Sequence, residues 1–317
     1  MIQRYVEKIS NRFAIPQSAK VVELASNDGY LLQYFKEKNI PVLGIEPCRN
    51  VAEAALQKGI PTLIRFFGAA LAEELKGWGV QADLLVGNNV LAHVPDLNDF
   101  VRGMSIFLKP EGVITLEFPH LQRLLEGNQF DTIYHEHFSY FTATVVEKIF
   151  ASHGLTLFDV EELPTHGGSL RVYFKHTGCA LHAVEPSVRQ IKECEKESGL
   201  LSQKTYKNFA ETVSKARESL LQFLENVRDE GSLLAAYGAP AKGNTLLNFC
   251  GVTNEDVAFT VDVSPHKQGR LLPGSRIPIY GPEKIKETKP QYLLILPWNL
   301  KDEIIEQMNC VREWGGK

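Results

Sequence analysis

Cysteine is scarce in this chain and never paired in sequence. Cys48, Cys179, Cys194, Cys250 and Cys310 stand far apart with no C-x-x-C. That excludes a zinc ribbon and a disulfide-dense scaffold, predicts no metal site of that kind, and suits a reduced, cytoplasmic setting. An excess of one charge is also missing: 34 Lys and Arg face 38 Asp and Glu, a net charge of -4. Nothing here gives an electrostatic footprint for nucleic acid or for an anionic membrane. No run approaches the roughly 20 apolar residues of a spanning helix, and the amino-terminal MIQRYVEKISNRF has no apolar signal core. What is present is ordinary globular composition, 44% apolar and 23% charged, in 317 residues. That length exceeds one ordinary core and predicts two domains. No heptad or exposed sheet edge can be read, so the expectation is a monomer or a weak homo-oligomer.

The first half alternates strand and helix. VVELAS (21–26), PVLGIEP (41–47), TLIRFF (62–67), ADLLVGNN (82–89) and GVITLEFP (112–119) read as strands; LLQYFKEK (31–38), VAEAALQKG (51–59), LAEEL (71–75) and DFVRGMSIFL (99–108) read as helices. Buried strands alternating with helices imply right-handed βαβ units and a parallel sheet. After a helix at 144–153, GLTLFDVEEL and SLRVYFKH flank the short loop Pro164–Gly168 and predict an antiparallel hairpin. Residues 186–230 read as helical, with Phe209, Val213, Ala216, Leu220, Leu224 and Val227 on one face. A strand, a glycine loop, a helix and further strands then form a smaller α/β unit. The predicted fold is therefore α/β: a Rossmann-like domain over 1–182 ending in the hairpin, an arrangement common among class I methyltransferases and less so among dehydrogenases, then a helical connector over 183–230 and a second, smaller Rossmann-like domain over 231–317.

Val21 to Gly29 sits where the first strand turns into the first helix, the edge at which adenosine-bearing cofactors dock. Small or permissive residues recur at every second position, as Ala25, Asn27 and Gly29, which lets backbone approach a ligand. Glu46, 17 residues beyond Gly29, ends the second strand, where a carboxylate can accept both ribose hydroxyls. The loop lacks the G-x-G-x-x-G of dinucleotide sites and carries Asp28 where a pyrophosphate would be repelled. A sulfonium-bearing cofactor, S-adenosylmethionine, suits these acidic groups better.

Asp131 to Phe141, DTIYHEHFSYF, gathers Asp131, Tyr134, His135, Glu136 and His137 among aromatic residues on a predicted loop. Three readings stand side by side: an acid/base set, a His-x-His metal site, and histidines satisfying buried carbonyls. In an extended segment Glu136 points away from both histidines, so the three do not simply converge. His93, after the fourth strand, opens onto the same sheet edge, with Asn88 and Asn89 placed to contact cofactor. In the carboxy-terminal part, Gly238-Ala239-Pro240-Ala241-Lys242-Gly243-Asn244-Thr245 nearly matches a phosphate loop, but the lysine precedes the second glycine. That excludes an ATPase reading and leaves either an anion nest for a nucleotide diphosphate, using Gly238, Lys242, Gly243 and Asn244, or a plain turn.

ELASNDGYLL, GIEPCRNVA, GIPTLIRFF, YHEHFSYF, THGGSLRVYF and YGAPAKGNTLLN, in this order, resemble the bacterial S-adenosylmethionine-dependent sugar C-methyltransferases that act on nucleotide-linked deoxysugars. The resemblance implies a methyltransferase domain followed by a Rossmann-like domain, with a nucleotide sugar held between them. The implied substrate is a TDP-linked 4-keto-6-deoxyhexose methylated at C3. It implies that Glu46 binds the cofactor ribose and that the loop with Glu23, Ala25, Asn27 and Gly29 holds the methionine end. His137 matches the family's candidate base, and Tyr134, Glu136 and His93 match further active-site residues. The chain departs from the family in starting at the helix before the cofactor domain, without the usual cysteine-bearing zinc domain. Competing readings are O- or N-methylation of a sugar or small metabolite, a non-catalytic binding module, and a dehydrogenase.

Overall fold

The computed structural model describes residues 2–317. Among these residues the α-helices are α1 (Ile2–Arg12), α2 (Leu32–Glu37), α3 (Arg49–Gln57), α4 (Ala69–Gly77), α5 (Leu97–Phe107), α6 (Leu121–Glu126), α7 (Ala143–Ala151), α8 (Pro186–Glu197), α9 (Gln203–Asp229), α10 (Ala241–Cys250), α11 (Glu283–Thr288) and α12 (Lys301–Gln307). The strands are β1 (Val21–Leu24), β2 (Val42–Ile45), β3 (Thr62–Leu63), β4 (Ala82–Asn88), β5 (Leu108–Pro119), β6 (Leu155–Leu163), β7 (Ser169–His176), β8 (Leu234–Tyr237), β9 (Thr260–Val261), β10 (Ile279–Tyr280) and β11 (Tyr292–Ile295).

Two compact units divide the chain. The first comprises residues up to Arg123 together with Glu136–Leu200; the second comprises Leu124–His135 and Leu201–Lys317. In the first, seven strands run in the order β3-β2-β1-β4-β5-β7-β6. β1 pairs in parallel with both β2 and β4, while β7 lies antiparallel to β5 and to β6. β1 is buried on both faces, as a central parallel strand must be. Val22, Leu24, Leu85 and Ile114 meet α4, α5, α7 and α8 on one face. Val21, Leu84, Val86 and Val113 meet α1 and α2 on the other. The expected parallel sheet finished by a hairpin is what forms.

Some expectations fail for local reasons. TLIRFF is a strand only at Thr62–Leu63, because its sole neighbour β2 stops at Ile45 and leaves nothing to pair with. Phe67 turns inward onto Phe100 at 5.5 Å while Phe66 stays exposed. The helix expected across 186–230 is two helices. Gly199, at φ +75°, ends the first, and Ser202 caps the second through Lys204 N–H. The expected boundaries at 182/183 and 230/231 therefore differ from the compact units: α8 belongs to the first unit and α9 to the second. Leu124–His135 joins the second unit although it precedes the hairpin in sequence.

A single carboxylate ties α8 in. Glu195, 3% exposed, accepts from Ala143 N–H at 2.5 Å and from Thr144 N–H and Oγ1–H at 3.0 and 2.6 Å, and pairs with His120 Nε2 at 2.9 Å. It thus caps the start of α7 from a helix more than forty residues away in sequence.

The second unit holds a four-stranded parallel sheet, β10-β9-β8-β11. Leu224 and Val227 of α9 and Leu247 of α10 cover one face. Ile285, Ile304 and Val311 cover the other, against Ala235, Tyr237 and Val261. The apolar stripe read along α9 is correct, though only Leu224 and Val227 are fully buried. β10 escapes a sequence reading because its two residues sit in a polar, proline-bearing stretch.

Burial pushes the Glu195 pKa up, but the donors from His120, Thr144 and Ala143 outweigh it and leave it below the ordinary 4.5. The folded value lies below the unfolded one, so its contribution is complete above about pH 4.5 and disappears as pH falls through the lower folded value. Glu195→Gln sets an amide against helix N–H donors and should cost about 2–3 kcal/mol. Urea unfolding of the variant at pH 7 measures that loss. Repeating it below pH 4.5 should find the gap to wild type narrowing.

Candidate functional site

The carboxyl edge of the first sheet gathers the predicted cofactor residues together with His93 and His137. Ala25, Asn27 and Gly29 all adopt left-handed backbone, with φ of +53°, +54° and +75°. The alternation seen in the sequence is thus a backbone requirement. For Ala25 and Asn27 this conformation carries strain that a glycine would avoid. Gly44 of β2 is needed for a different reason: a Cβ there would overlap the Ser26 hydroxyl and lie 3.0 Å from Thr62 Oγ1.

Glu46, 7% exposed, locks this corner. Its Oε2 accepts from Asn27 N–H at 3.0 Å and its Oε1 from Cys48 N–H at 2.8 Å, which leaves each oxygen a further lone pair. Glu23 is fully buried on β1, and its Oε2 has no partner. Burial, then the charges of Asp28 and Glu46, hold its pKa well above the usual carboxylate range. The Tyr30 pKa is pushed up to about 12 by burial and then by Glu23, Glu117 and Asp28. Ser26 Oγ and Asn88 Oδ1 are further buried oxygens without partners. The Glu46 carboxylate and the unused acceptor oxygens of Glu23, Ser26 and Asn88 fit a ligand that carries ammonium and sulfonium charge, as S-adenosylmethionine does. Asp28 is paired with Lys58 at 2.5 Å, however, so the repulsion of a pyrophosphate expected from it is partly cancelled.

β4 ends at Asn88, and Asn89 turns at φ +53° with its N–H on Glu117 O at 2.7 Å. His93 is exposed at the end of the short 3-10 turn Leu91–His93. The His137 ring lies against it, centroids 4.9 Å apart, and Tyr140 closes on His137 at 5.8 Å. Phe138 N–H donates to Ala92 O at 2.8 Å, so the segment is pinned to the loop after β4. The structure therefore brings His93 and His137 together. His135 and Glu136 are exposed, and Tyr134 is half-buried. Tyr134 and His135 belong to the second unit and Glu136 and His137 to the first, so the chain passes between units inside this motif. Among the described residues no three His, Cys, Asp or Glu side chains converge as a metal site.

Asp131 leaves the proton-handling group. It is 4% exposed and accepts the Trp298 indole N–H at 2.7 Å, a structural tie within the second unit. Sequence reasoning misses His166, a non-glycine residue at φ +54° whose Nε2 lies 3.5 Å from Asn89 Nδ2. It also misses Glu117, which accepts from Thr165 Oγ1 at 2.8 Å and Arg171 at 2.9 Å. The THGG run is the available signal for the first; the second is hidden inside an otherwise apolar strand.

The second glycine loop is only partly the nest expected. Gly238 N–H is spent on Val261 O at 2.6 Å and Ala239 N–H on Asp262 Oδ2 at 2.8 Å. Gly243 is a packing residue, since a Cβ there would stand 2.8 Å from Leu296 Cβ. The Asn244 N–H closes the first helical turn on Pro240 O, and its Oδ1 is buried without a partner. What remains for an anion is the uncapped first turn of α10 and Lys242. The Lys242 ammonium sits 4.2 Å over the Trp298 ring and donates to Asn299 Oδ1. Burial lowers its pKa, and nearby Asp131 only partly restores it.

A sheet order reversing between β1 and β4, an acid bridging the first loop and a hairpin at the far edge define the methyl-transferring α/β class. Comparison with known proteins agrees. Residues 1–160 match the family model for a methyltransferase domain, and residues 164–317 that for a C-methyltransferase C-terminal domain. C-methyltransferase NovU of Streptomyces niveus is 37% identical over 316 residues, covering 100% of this chain and 75% of that protein. The chain belongs to the C-methyltransferase family, enzymes that use S-adenosylmethionine. Solved structures similar to it include magnesium protoporphyrin IX methyltransferase of Synechocystis PCC 6803 with bound SAH, at TM-score 0.44 and 14% identity over 54% of this chain and 82% of that one. A methyltransferase of Clostridium acetobutylicum ATCC 824 is similar at TM-score 0.44 and 11% identity over 56% and 91%. No helix among the described residues is long and apolar enough to cross a membrane.

Gly44→Ala should displace the loop at 25–29 and destabilise the chain by about 1–3 kcal/mol. Calorimetric titration with S-adenosylhomocysteine should find its affinity down by about tenfold, roughly 1.4 kcal/mol.

Proposed function

We propose that the protein methylates C3 of a TDP-linked 4-keto-6-deoxysugar, with His137 as the base. The observation that carries this reading is the His93–His137 pair, 4.9 Å apart, anchored on the loop after β4 beside the acid-bridged corner. A 4-ketone acidifies the C3 hydrogen, and an imidazole has the intrinsic pKa to remove it near neutral pH.

On this reading, Glu46 accepts the ribose hydroxyls of the cofactor, while Glu23, Asn88, Asn89 and the 25–29 loop line its methionine end. S-adenosylmethionine supplies a methyl group on a sulfonium, open to attack by a carbanion in line with the breaking carbon–sulfur bond. His137 takes the C3 proton, and the bonding pair moves into the enolate. Tyr134 or His93 donates a hydrogen bond to the enolate oxygen, stabilising charge where it develops. Glu136 stands next to the base in sequence and is the further residue of this set. Lys242 and the first turn of α10 hold the diphosphate of the substrate. Phe138, 60% exposed, and Tyr140 are apolar surface able to exclude water around the carbanion.

His137→Asn keeps a hydrogen-bonding side chain but removes the base. Turnover should fall by about 10²–10⁴-fold, while S-adenosylhomocysteine affinity in calorimetry stays within about twofold. Undiminished turnover would remove His137 from the role.

A further inference from the structure

The corner built by Glu46 in the first unit is built a second time in the other unit, from residues the proposed reaction has not yet used. In the first unit, Ala25, the residue after β1, gives its N–H to Ile45 O, the last residue of β2, at 2.8 Å. In the second, Gly238, the residue after β8, gives its N–H to Val261 O, the last residue of β9, at 2.6 Å. Glu46 follows β2 directly and gives its own N–H to Leu63 O of β3 at 3.0 Å; Asp262 follows β9 directly and gives its own to Tyr280 O of β10 at 3.0 Å. One oxygen of each acid accepts from the glycine-loop backbone, Asn27 N–H at 3.0 Å or Ala239 N–H at 2.8 Å. The other oxygen accepts from the amide two residues on, Cys48 at 2.8 Å or Ser264 at 2.9 Å.

An acid at the end of the second strand, beside the first glycine loop, is where doubly wound folds read the hydroxyls of a ribose. Asp262 is 8% exposed, and its Oδ1 carries only the Ser264 amide, so it retains acceptor capacity. Lys267 lies 3.3 Å from Oδ2 and donates to Ala239 O at 3.0 Å, which ties the carboxylate to the loop and holds the loop in place. Val263, next in sequence, leaves a large apolar side chain 68% exposed, where a planar base would find a surface. The loop that Asp262 braces runs directly into the uncapped first turn of α10 and Lys242.

We propose that Asp262 holds the nucleoside of the substrate by accepting a hydrogen bond from a hydroxyl of its sugar ring, with Val263 beside the base. This rests on the nucleotide-linked substrate proposed above, and names the residue that recognises its nucleoside half. The acid does for that half what Glu46 does for the cofactor ribose.

The test is a ligand-and-residue cycle by calorimetry on the full chain, using TDP, 2′,3′-dideoxythymidine diphosphate and S-adenosylhomocysteine. Wild type should bind TDP about tenfold or more tightly than the dideoxy analogue, the worth of a charge-assisted hydrogen bond. Asp262→Asn should bind TDP about tenfold more weakly, lose the discrimination between the two nucleotides and keep its S-adenosylhomocysteine affinity. Equal binding of the two nucleotides by wild type, a measurement that needs no variant, overturns the role of Asp262. Undiminished discrimination in the variant overturns it too. If wild type binds no TDP at all, the nucleotide-linked reading fails along with it.

Discussion

β1 lies between β2 and β4 and is parallel to both, and the reactive edge depends on that pairing. Because all three strands run the same way, the loops that follow them must leave from one edge. Because the order reverses at β1, those loops separate and leave a crevice. Glu46 then fixes the crevice wall by joining the loop after β1 to the turn after β2. The contribution is local, a pair of charge-assisted hydrogen bonds, but it holds Ala25 and Asn27 in backbone conformations that side chains disfavour. The left-handed strain is retained because strand pairing and the buried carboxylate together overdetermine it.

Much of this was legible in the residues. Strands buried on both faces announce a parallel sheet through uninterrupted apolar runs, and the small residues at 25, 27 and 29 mark the turns their backbone requires. Topology alone puts His93 and His137 on one edge, where their ring centroids lie 4.9 Å apart. What escaped depended on contacts made across long stretches of chain. Nothing around Glu195 in a Lys/Glu-rich helix distinguishes it from its solvated neighbours, and only the folded unit reveals it as the cap of α7. Asp131 read as a proton-handling residue because its partner, Trp298, lies 167 positions away. Asp262 was hidden by brevity: β9 is two residues long, too short to carry a periodic signal that would flag the acid at its end.

On the proposed reading, the two units take ligands of opposite charge. The first unit's corner offers the Glu46 carboxylate and unused acceptor oxygens on Glu23, Ser26 and Asn88, which suit a cationic ligand, while Asp28 and Glu117 are paired with Lys58 and Arg171. The second unit's loop offers helix amides and the desolvated Lys242, suited to an anionic one. Family membership makes methyl transfer to carbon the reaction class, and a carbon beside a ketone becomes nucleophilic only once its proton is removed. Oxygen and nitrogen acceptors carry lone pairs already. On the proposed reaction, a base beside the crevice is the feature that links the geometry to the chemistry.

That link can be tested without any methyl transfer. Incubating the enzyme with the ketosugar nucleotide and S-adenosylhomocysteine in deuterium oxide, then reading the C3 position by NMR, asks only whether the proton is removed. Deuterium should appear at C3 at a rate well above that of the enzyme-free sugar, and the His137→Asn variant should not support it. A C3 hydrogen that remains protium throughout, under conditions in which the complete reaction turns over, would contradict a carbanion generated by His137.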